Sequence, residues 1–187
     1  IDIGAVSTRP GALEVSCDLE LKRLLSPLDR LVNEFPKALI SIDTFRSKVA
    51  QYAVNAGAHI INDISGGTMD SYMFETIASL QVPYILMHIH GTPRTMQESP
   101  IVMDVVEKVK NFFTTQLHKL NTFGVSEVIL DPGFGFGKTL ESNYQLLGNM
   151  ENTRIKKLPL LAGISRKSMI NKVLMTNPEE ALNGTTT

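Results

Sequence analysis

The sequence is poor in several features that mark particular classes of protein. It has one cysteine, Cys17, so no disulfide can form within the chain, and a reducing compartment suits it. The net charge of -1 at pH 7 leaves no basic surface for nucleic acid and no block of like charge for a membrane surface. No apolar run approaches the roughly 18 residues of a membrane span. We therefore expect a cytoplasmic protein that binds neither nucleic acid nor membrane.

Histidine is also sparse, and this limits the metal sites that the chain can build. His88 and His90 project on one face of a predicted strand end and could form half of a hydrolase metal site. His59 lies at the start of its strand and His118 lies in a predicted helix, so no third ligand is visible. We therefore expect no metal ligand within this chain.

What the sequence does contain is a regular alternation of short apolar runs and amphipathic stretches. Apolar residues recur at spacings of three and four over 21–35 and 102–117, which predicts two long helices. Shorter helices are predicted over 46–55, 71–79 and 140–150. The predicted strands are IDIG, ALISID, HIIND, PYILMH, VILD and PLLAGISRK.

This alternation, without hairpin signals, is typical of a parallel sheet with right-handed crossovers. An open doubly wound sheet and a (β/α)₈ TIM barrel both fit it. The barrel is favoured because polar residues end five separate strands, whereas a doubly wound sheet gathers its site near one switch point. About six of the eight strands are present, and a typical barrel has about 250 residues. We expect a single α/β domain over 1–187, an incomplete TIM barrel that is part of a longer protein.

The polar residues at the strand ends can meet at one edge of such a barrel. Period-two alternation places Asp2, Asp43, Asn62 and Asp131 where their side chains can converge. Carboxylates, an amide and a lysine form a donor and acceptor array that suits a small, flat, polar heterocycle. A single aspartate at a strand end is often only a helix cap, but three on one rim weaken that interpretation.

The stretch LDPGFGFGK, residues 130–138, follows a buried strand. Its three glycines at every second position let the backbone come close to whatever binds there. The spacing does not fit a nucleotide P-loop, because Pro132 stands where the first glycine would be. Phe134 and Phe136 are available to cover a flat ring. The alternative is an ordinary loop between a strand and a helix.

Two other stretches can hold an anion. SRKS, residues 165–168, lies where the sixth predicted strand passes into a helix, so that backbone N–H groups and basic side chains can receive a carboxylate or phosphate. STRPG, residues 7–11, offers hydroxyls and a guanidinium after the first strand. The alternatives are a plain helix cap by Ser165 and a surface turn.

The order and spacing of these motifs resemble those of the dihydropteroate synthase family over essentially the whole chain. The matching stretches are IDIG with STRPGA, SIDTFR, AGAHIINDI, LMH with TPRTMQ, LDPGFGFGK and GISRKS. The resemblance implies a transferase of folate biosynthesis that condenses 6-hydroxymethyl-7,8-dihydropterin diphosphate with p-aminobenzoate, giving 7,8-dihydropteroate and pyrophosphate. It also implies Mg²⁺ as cofactor, a homodimer and competition by sulfonamides.

The resemblance further implies roles for individual residues. The residues implied to bind the pterin are Asp2, Thr8, Asp43, Asn62, Met87, Asp131, Gly163 and Lys167. Those implied to border p-aminobenzoate are Pro10, Phe136, Lys167 and Ser168. The implied catalytic residues are Asp43, Asp131, Lys167 and Arg9. Buried carboxylates among them would stabilise the positive charge that develops on the pterin as pyrophosphate leaves.

Two parts of the family pattern are missing from the sequence. One is the first strand, with an asparagine that helps to bind the metal, and the other is the last strand, whose Arg-x-His grips the diphosphate. Two other readings therefore remain open: a pterin-binding barrel of a methyltransferase that serves a corrinoid partner, and a catalytically inactive pterin-binding fragment. The STRPG and SRKS stretches favour the synthase over the methyltransferase.

Overall fold

The fold is a parallel sheet whose strands follow one another in chain order. A computed structural model describes residues 1–9, 12–177 and 184–185. Each strand pairs in parallel with the next one along the chain, as in a barrel, whereas a doubly wound sheet reverses its order at a switch point. The strands are β1 (Asp2–Gly4), β2 (Ser41–Asp43), β3 (Ile60–Asp63), β4 (Tyr84–Met87) and β5 (Val128–Asp131). The prediction of an incomplete barrel is confirmed.

The helices lie between these strands, close to where the apolar periodicity predicted them. The long helix predicted over 102–117 begins three residues later and extends five residues further. The helix predicted over 140–150 is divided into an α-helix and a 3₁₀ helix, Met150–Thr153. The α-helices are α1 (Cys17–Glu34), α2 (Ser47–Asn55), α3 (Met73–Leu80), α4 (Val105–Thr122), α5 (Leu140–Gly148) and α6 (Ser168–Leu174).

The predicted sixth strand, PLLAGISRK, is present only as a short parallel pairing. Leu160 forms an isolated bridge with Leu130 of β5. Leu130 N donates to Pro159 O at 2.9 Å, and Leu161 N donates to Leu130 O at 2.8 Å. The chain then turns, with Lys167 N donating to Ile164 O at 3.1 Å, and enters α6. The segment is therefore adjacent to β5 as predicted, without the ladder that defines a strand.

The main core lies between the outer face of the sheet and the helices. Ile42, Ile61 and Leu130 point to this face and are fully buried, because residues at every second strand position share a face. The opposite, inner face carries Asp43, Asn62 and Asp131. The alternation thus separates an apolar face, which holds the helices, from a face that carries polar groups.

None of the helices in the described ranges combines the length and the apolar character that crossing a bilayer requires.

Candidate functional site

Polar side chains from the first three strands meet on the inner face of the sheet. Asn62 Nδ2 donates to Asp2 Oδ2 at 3.3 Å, and the Ser41 hydroxyl donates to Asp2 Oδ1. Asp43 pairs in register with Gly4 on one side and with Asn62 on the other. Asn62 Oδ1 is buried without a hydrogen-bond partner, so it is an acceptor available to an N–H group of a ligand.

The carboxyl group of Asp43 titrates near neutral pH. Burial raises its pKa to about 7, with further increases from the nearby carboxylates of Asp2, Asp63 and Glu20. The charge of Lys167 acts in the opposite direction and lowers this pKa. A ligand that brings N–H donors or positive charge to this face would favour the ionised carboxylate.

Asp131 occupies the end of β5 and is 7% exposed. Its Oδ1 accepts a hydrogen bond of 2.8 Å from Gly133 N. Burial raises the pKa of Asp131, while that hydrogen bond and the charges of Lys167 and Lys138 lower it. Gly163 lies opposite, since a Cβ added there would be 3.9 Å from Asp131 Oδ2. The structure therefore brings these two predicted site residues together.

The glycine loop, residues 132–137, lies directly on the chain that follows β4. A Cβ at Gly133 would be 1.9 Å from His88 O, and one at Gly137 would be 2.4 Å from His90 O. Both glycines also have φ near +70°, which other residues rarely adopt. The sequence suggested that these glycines let the backbone approach a ligand; at these two positions they let it approach the protein's own chain.

The two phenylalanines of the glycine loop have different environments. Phe134 is fully buried in the main core, so the prediction that it could cover a ligand ring is wrong. Phe136 is half-buried and packs, together with Phe45, against a small apolar cluster that contains Met87. Period two would place these two rings on the same side, and the difference arises because the loop is not a strand. Met87, which the family resemblance implied as a binding residue, is buried on the inner face of the sheet.

Lys167 precedes α6 and reaches across the glycine loop. Its Nζ donates to Phe134 O at 2.7 Å and lies 4.3 Å from the centre of the Phe136 ring. Burial lowers the pKa of Lys167, and the carboxylates of Asp131 and Asp43 raise it. The side chain therefore contacts the loop directly and acts on both carboxylates through its charge.

Thr8 and Arg9 lie in a separate cavity of about 270 Å³ beside the polar cluster. Three arginines, Arg9, Arg46 and Arg94, line the cavity, and the described residues around it belong to the loops after β1, β2, β3 and β4. Arg94 Nη2 donates to Glu14 at 2.6 Å and so joins two of these loops. Pro10 lies outside the described residues.

Ser168 is exposed and is the first residue of α6. The residue before the helix is Lys167, whose side chain makes no capping hydrogen bond. The alternative interpretation, a helix cap by Ser165, is wrong because the helix begins three residues later. Ser168 shares a small cavity of about 40 Å³ with Gly135 of the glycine loop and Lys172 of α6.

The two histidines after β4 do not form a metal site with other residues. His88 is buried and its Nδ1 lies 2.9 Å from Lys138 Nζ, whereas His90 is exposed. Among residues 1–9, 12–177 and 184–185, no group of three or more His, Cys, Asp or Glu could hold a metal ion.

Sequence reasoning missed a buried network on the outer face, next to the inner-face Asn62. Asp63 is fully buried and accepts hydrogen bonds from Ser65 N, Ser65 Oγ, Gly67 N and the Tyr84 hydroxyl. Burial raises the pKa of Asp63. An aspartate followed by serine and two glycines is typical of a side chain that organises a turn, and this signal was available in the sequence.

A second missed network lies behind Asp43. Glu20 of α1 is buried and accepts from the Thr44 hydroxyl at 2.7 Å and from Arg46 Nη1. Arg46 Nη2 also donates to Val15 O at 2.7 Å. Because buried charges need partners, this network explains how a glutamate is buried in the first turn of α1, on the same face as Leu21, Leu24 and Leu28.

Comparison with known proteins agrees with this geometry. The family described as "Pterin binding enzyme" matches residues 1–187. The chain belongs to the pterin-binding enzyme family. Dihydropteroate synthases are among its relatives in this family. The one from Escherichia coli (strain K12) is 42% identical over 186 residues, which are 98% of this chain and 65% of that protein. The resemblance that the motifs indicated is confirmed.

Solved structures of pterin-binding enzymes share this fold. The Yersinia pestis dihydropteroate synthase, described in complex with a sulfonamide drug, superimposes with a TM-score of 0.93 at 39% identity, covering 98% of this chain and 66% of that one. The Burkholderia cenocepacia dihydropteroate synthase, complexed with 7,8-dihydropteroate, gives a TM-score of 0.88 at 36% identity, covering 97% and 68%. The chain thus spans about two thirds of the length of these relatives.

Proposed function

We propose that the protein to which this chain belongs is a dihydropteroate synthase, a transferase that joins 6-hydroxymethyl-7,8-dihydropterin diphosphate to p-aminobenzoate. The observation that carries the proposal is the pair of carboxylates of the half-buried Asp43 and the buried Asp131, with the charge of Lys167 acting on both. The amine nitrogen of p-aminobenzoate bonds to the pterin methylene, the bond from that carbon to the diphosphate oxygen breaks, and the amine loses a proton. The products are 7,8-dihydropteroate and pyrophosphate.

The pterin is assigned to the inner face of the sheet. Its ring carries several N–H groups, and the partnerless Asn62 Oδ1 and the carboxylates of Asp43 and Asp131 are acceptors on that face. Asp2 holds Asn62 in place through its 3.3 Å hydrogen bond, and Lys167 adds a donor. Met87 and Gly163 border the slot in which the ring lies.

The catalytic contribution of the pocket is electrostatic. Departure of pyrophosphate leaves positive charge on the pterin methylene and ring, and carboxylates held in a shielded pocket stabilise that charge as it develops. Asp43 and Asp131 have this role in our proposal. No protein nucleophile is needed, because the arylamine is itself the nucleophile, so alignment of the two substrates supplies much of the remaining effect.

We assign p-aminobenzoate to the glycine loop and the start of α6. The Phe136 ring and Lys167 border the aromatic ring, Ser168 receives the carboxylate, and Pro10 completes the border. Thr8 serves the pterin and Arg9 the diphosphate, since both line the cavity that three arginines border. Sulfonamides resemble p-aminobenzoate and are expected to compete at Phe136, Lys167 and Ser168.

Mg²⁺ belongs to the proposal as an ion carried by the diphosphate of the substrate, because magnesium is commonly bound through substrate phosphates and only a few protein ligands. A homodimer and a cytoplasmic location complete the proposal by analogy with the family.

The experiment is a pyrophosphate-release assay on the protein expressed from its complete coding sequence. Pterin diphosphate, p-aminobenzoate and Mg²⁺ are each omitted in turn. Release that requires p-aminobenzoate supports the synthase. Pterin binding without release supports the second candidate, a catalytically inactive pterin-binding protein.

A further inference from the structure

The buried lysine that follows the glycine loop has no role in the function proposed above. Lys138 is 5% exposed, which is unusual for a lysine. Its Nζ lies 2.8 Å from Gly133 O and 3.1 Å from Phe136 O, which are near the two ends of the loop. It also lies 2.9 Å from His88 Nδ1 and 3.5 Å from His88 O, on the chain after β4. One side chain therefore hydrogen-bonds to both ends of the loop and to the residue that follows β4.

We propose that Lys138 is a positioning residue, whose side chain holds the glycine loop against the chain after β4 and so places Phe136 and the Phe134 carbonyl for p-aminobenzoate. This inference rests on the proposed function. The Nζ of Lys138 is engaged by the carbonyls of the loop and by His88, so Lys138 acts on the site through the loop.

The loop carries three groups of the candidate site, and each is next to a carbonyl that Lys138 holds. Phe136 is the ring partner of Lys167, and Phe134 O is the acceptor of Lys167. Gly133 N donates to Asp131 at 2.8 Å. Losing the contacts of Lys138 to the carbonyls of residues 133 and 136 would release all three groups together.

The electrostatic surroundings agree with a donor role for Lys138. Burial lowers its pKa to about 7; the carboxylate of Asp131 raises it and the charge of Lys167 lowers it. Burial lowers the pKa of His88 well below its usual value, with smaller effects from Lys138 and His90. His88 is therefore neutral, and in the tautomer with its proton on Nε2 its Nδ1 accepts from Lys138, whose amine also donates to the loop carbonyls.

A second side chain holds the same loop from α5. Asn143 is buried, and its Oδ1 accepts from Gly135 N at 2.7 Å. Its Nδ2 donates to Lys138 O at 3.1 Å and to Thr139 O at 2.7 Å. A variant at Asn143 therefore tests the positioning of the loop independently of a substitution at Lys138.

The test compares Lys138→Met, which keeps the length of the side chain and removes its donors, with Lys138→Arg, Asn143→Ala and a matched control, Gln116→Leu. Gln116 is also buried and donates to a loop carbonyl, Gly66 O at 2.6 Å, but outside the glycine loop. All four variants are made in the protein expressed from its complete coding sequence. Steady-state kinetics and hydrogen exchange of the backbone amides are measured for each.

For Lys138→Met we expect the KM for p-aminobenzoate to rise about 10-fold while the KM for pterin diphosphate changes less than about 3-fold. Amide exchange at Gly133 and Gly135 should quicken at least about 10-fold, without a change at β3. Asn143→Ala should show the same changes in KM and in amide exchange. Lys138→Arg should lie between Lys138→Met and the unsubstituted protein. Gln116→Leu should lower the stability of the fold without raising the KM for p-aminobenzoate more than the KM for pterin diphosphate.

Equal changes in both KM values, or unchanged exchange at Gly133 and Gly135, would overturn the inference. If Lys138→Met does not fold, Asn143→Ala decides by the same criteria. If the unsubstituted protein does not turn over, the proposed function fails, whereas the exchange measurement still tests whether Lys138 holds the loop.

Discussion

The ammonium group of Lys167 lies 4.3 Å from the centre of the Phe136 ring, and this contact joins the start of α6 to the glycine loop. The same group is held by Phe134 O at 2.7 Å and lowers the pKa of both Asp43 and Asp131. One side chain thus contacts the Phe136 ring and the glycine loop and lowers the pKa values of two carboxyl groups.

Replacing Lys167 with methionine should therefore affect binding and titration together. The lost cation–π contact and hydrogen bond should raise the KM for p-aminobenzoate about 10-fold or more. Because the positive charge no longer favours the carboxylates, their pKa values should rise, and the acid limb of the pH–rate profile should move to higher pH. Lys157→Met, at an exposed turn, is the control and should change neither quantity.

Asp43→Asn should stabilise the fold at neutral and higher pH. The folded-state pKa of about 7 exceeds the ordinary value of 3.8, so the fold favours the protonated carboxyl. The contribution of the protonated Asp43 carboxyl to the free energy of unfolding is fully present below the pKa of the unfolded state, and it is lost as the pH rises through 7.

Asp43→Asn cannot ionise, so this variant does not lose stability as the pH rises through 7. We expect a gain in the free energy of unfolding of about 1–3 kcal/mol at about pH 8 that falls toward zero at about pH 4. Denaturant titrations at several pH values measure it. A gain that does not depend on pH would contradict the assigned cause. Catalysis should decline in the same variant, because the carboxylate charge is gone.

Gly133→Ala and Gly124→Ala separate backbone strain from steric contact. Both positions have positive φ, +69° and +80°. A Cβ at Gly133 would meet His88 O at 1.9 Å, whereas nothing lies within 4 Å at Gly124. We expect a cost of about 1 kcal/mol at Gly124 and at least about 3 kcal/mol at Gly133. Similar costs in thermal unfolding would argue against the close packing of the glycine loop on β4.

Tyr84→Phe tests the buried network on the outer face. The Tyr84 hydroxyl donates to Asp63 Oδ2 at 2.6 Å, and its loss leaves a buried carboxylate with one donor fewer. We expect a loss of about 1–3 kcal/mol in unfolding free energy, and Tyr52→Phe, at an exposed position, should be neutral. Pterin affinity measured by calorimetry should not change in either variant, because Asp63 faces away from the site.

The sequence predicted the strand order, the helices and the inner-face residues because these depend on local periodicity. Asp43, Asn62 and Asp131 share a face because side chains alternate between the two faces along each strand. The burial of Phe134 and the contacts of Lys138 could not be predicted this way. They depend on how a glycine loop without periodicity packs on residues 88–90, about 45 to 50 positions earlier in the chain. Asp63 was predictable in principle, since period two places it opposite Asn62.

The most direct test of the central claim is the identity of the product. Ring-labelled p-aminobenzoate, pterin diphosphate and Mg²⁺ are incubated with the protein expressed from its complete coding sequence, and the mixture is analysed by mass spectrometry. The account predicts labelled 7,8-dihydropteroate in an amount equal to the pyrophosphate released, and a large reduction with Asp131→Asn. Pterin binding without labelled product, or methyl transfer to a corrinoid protein in its place, would contradict it.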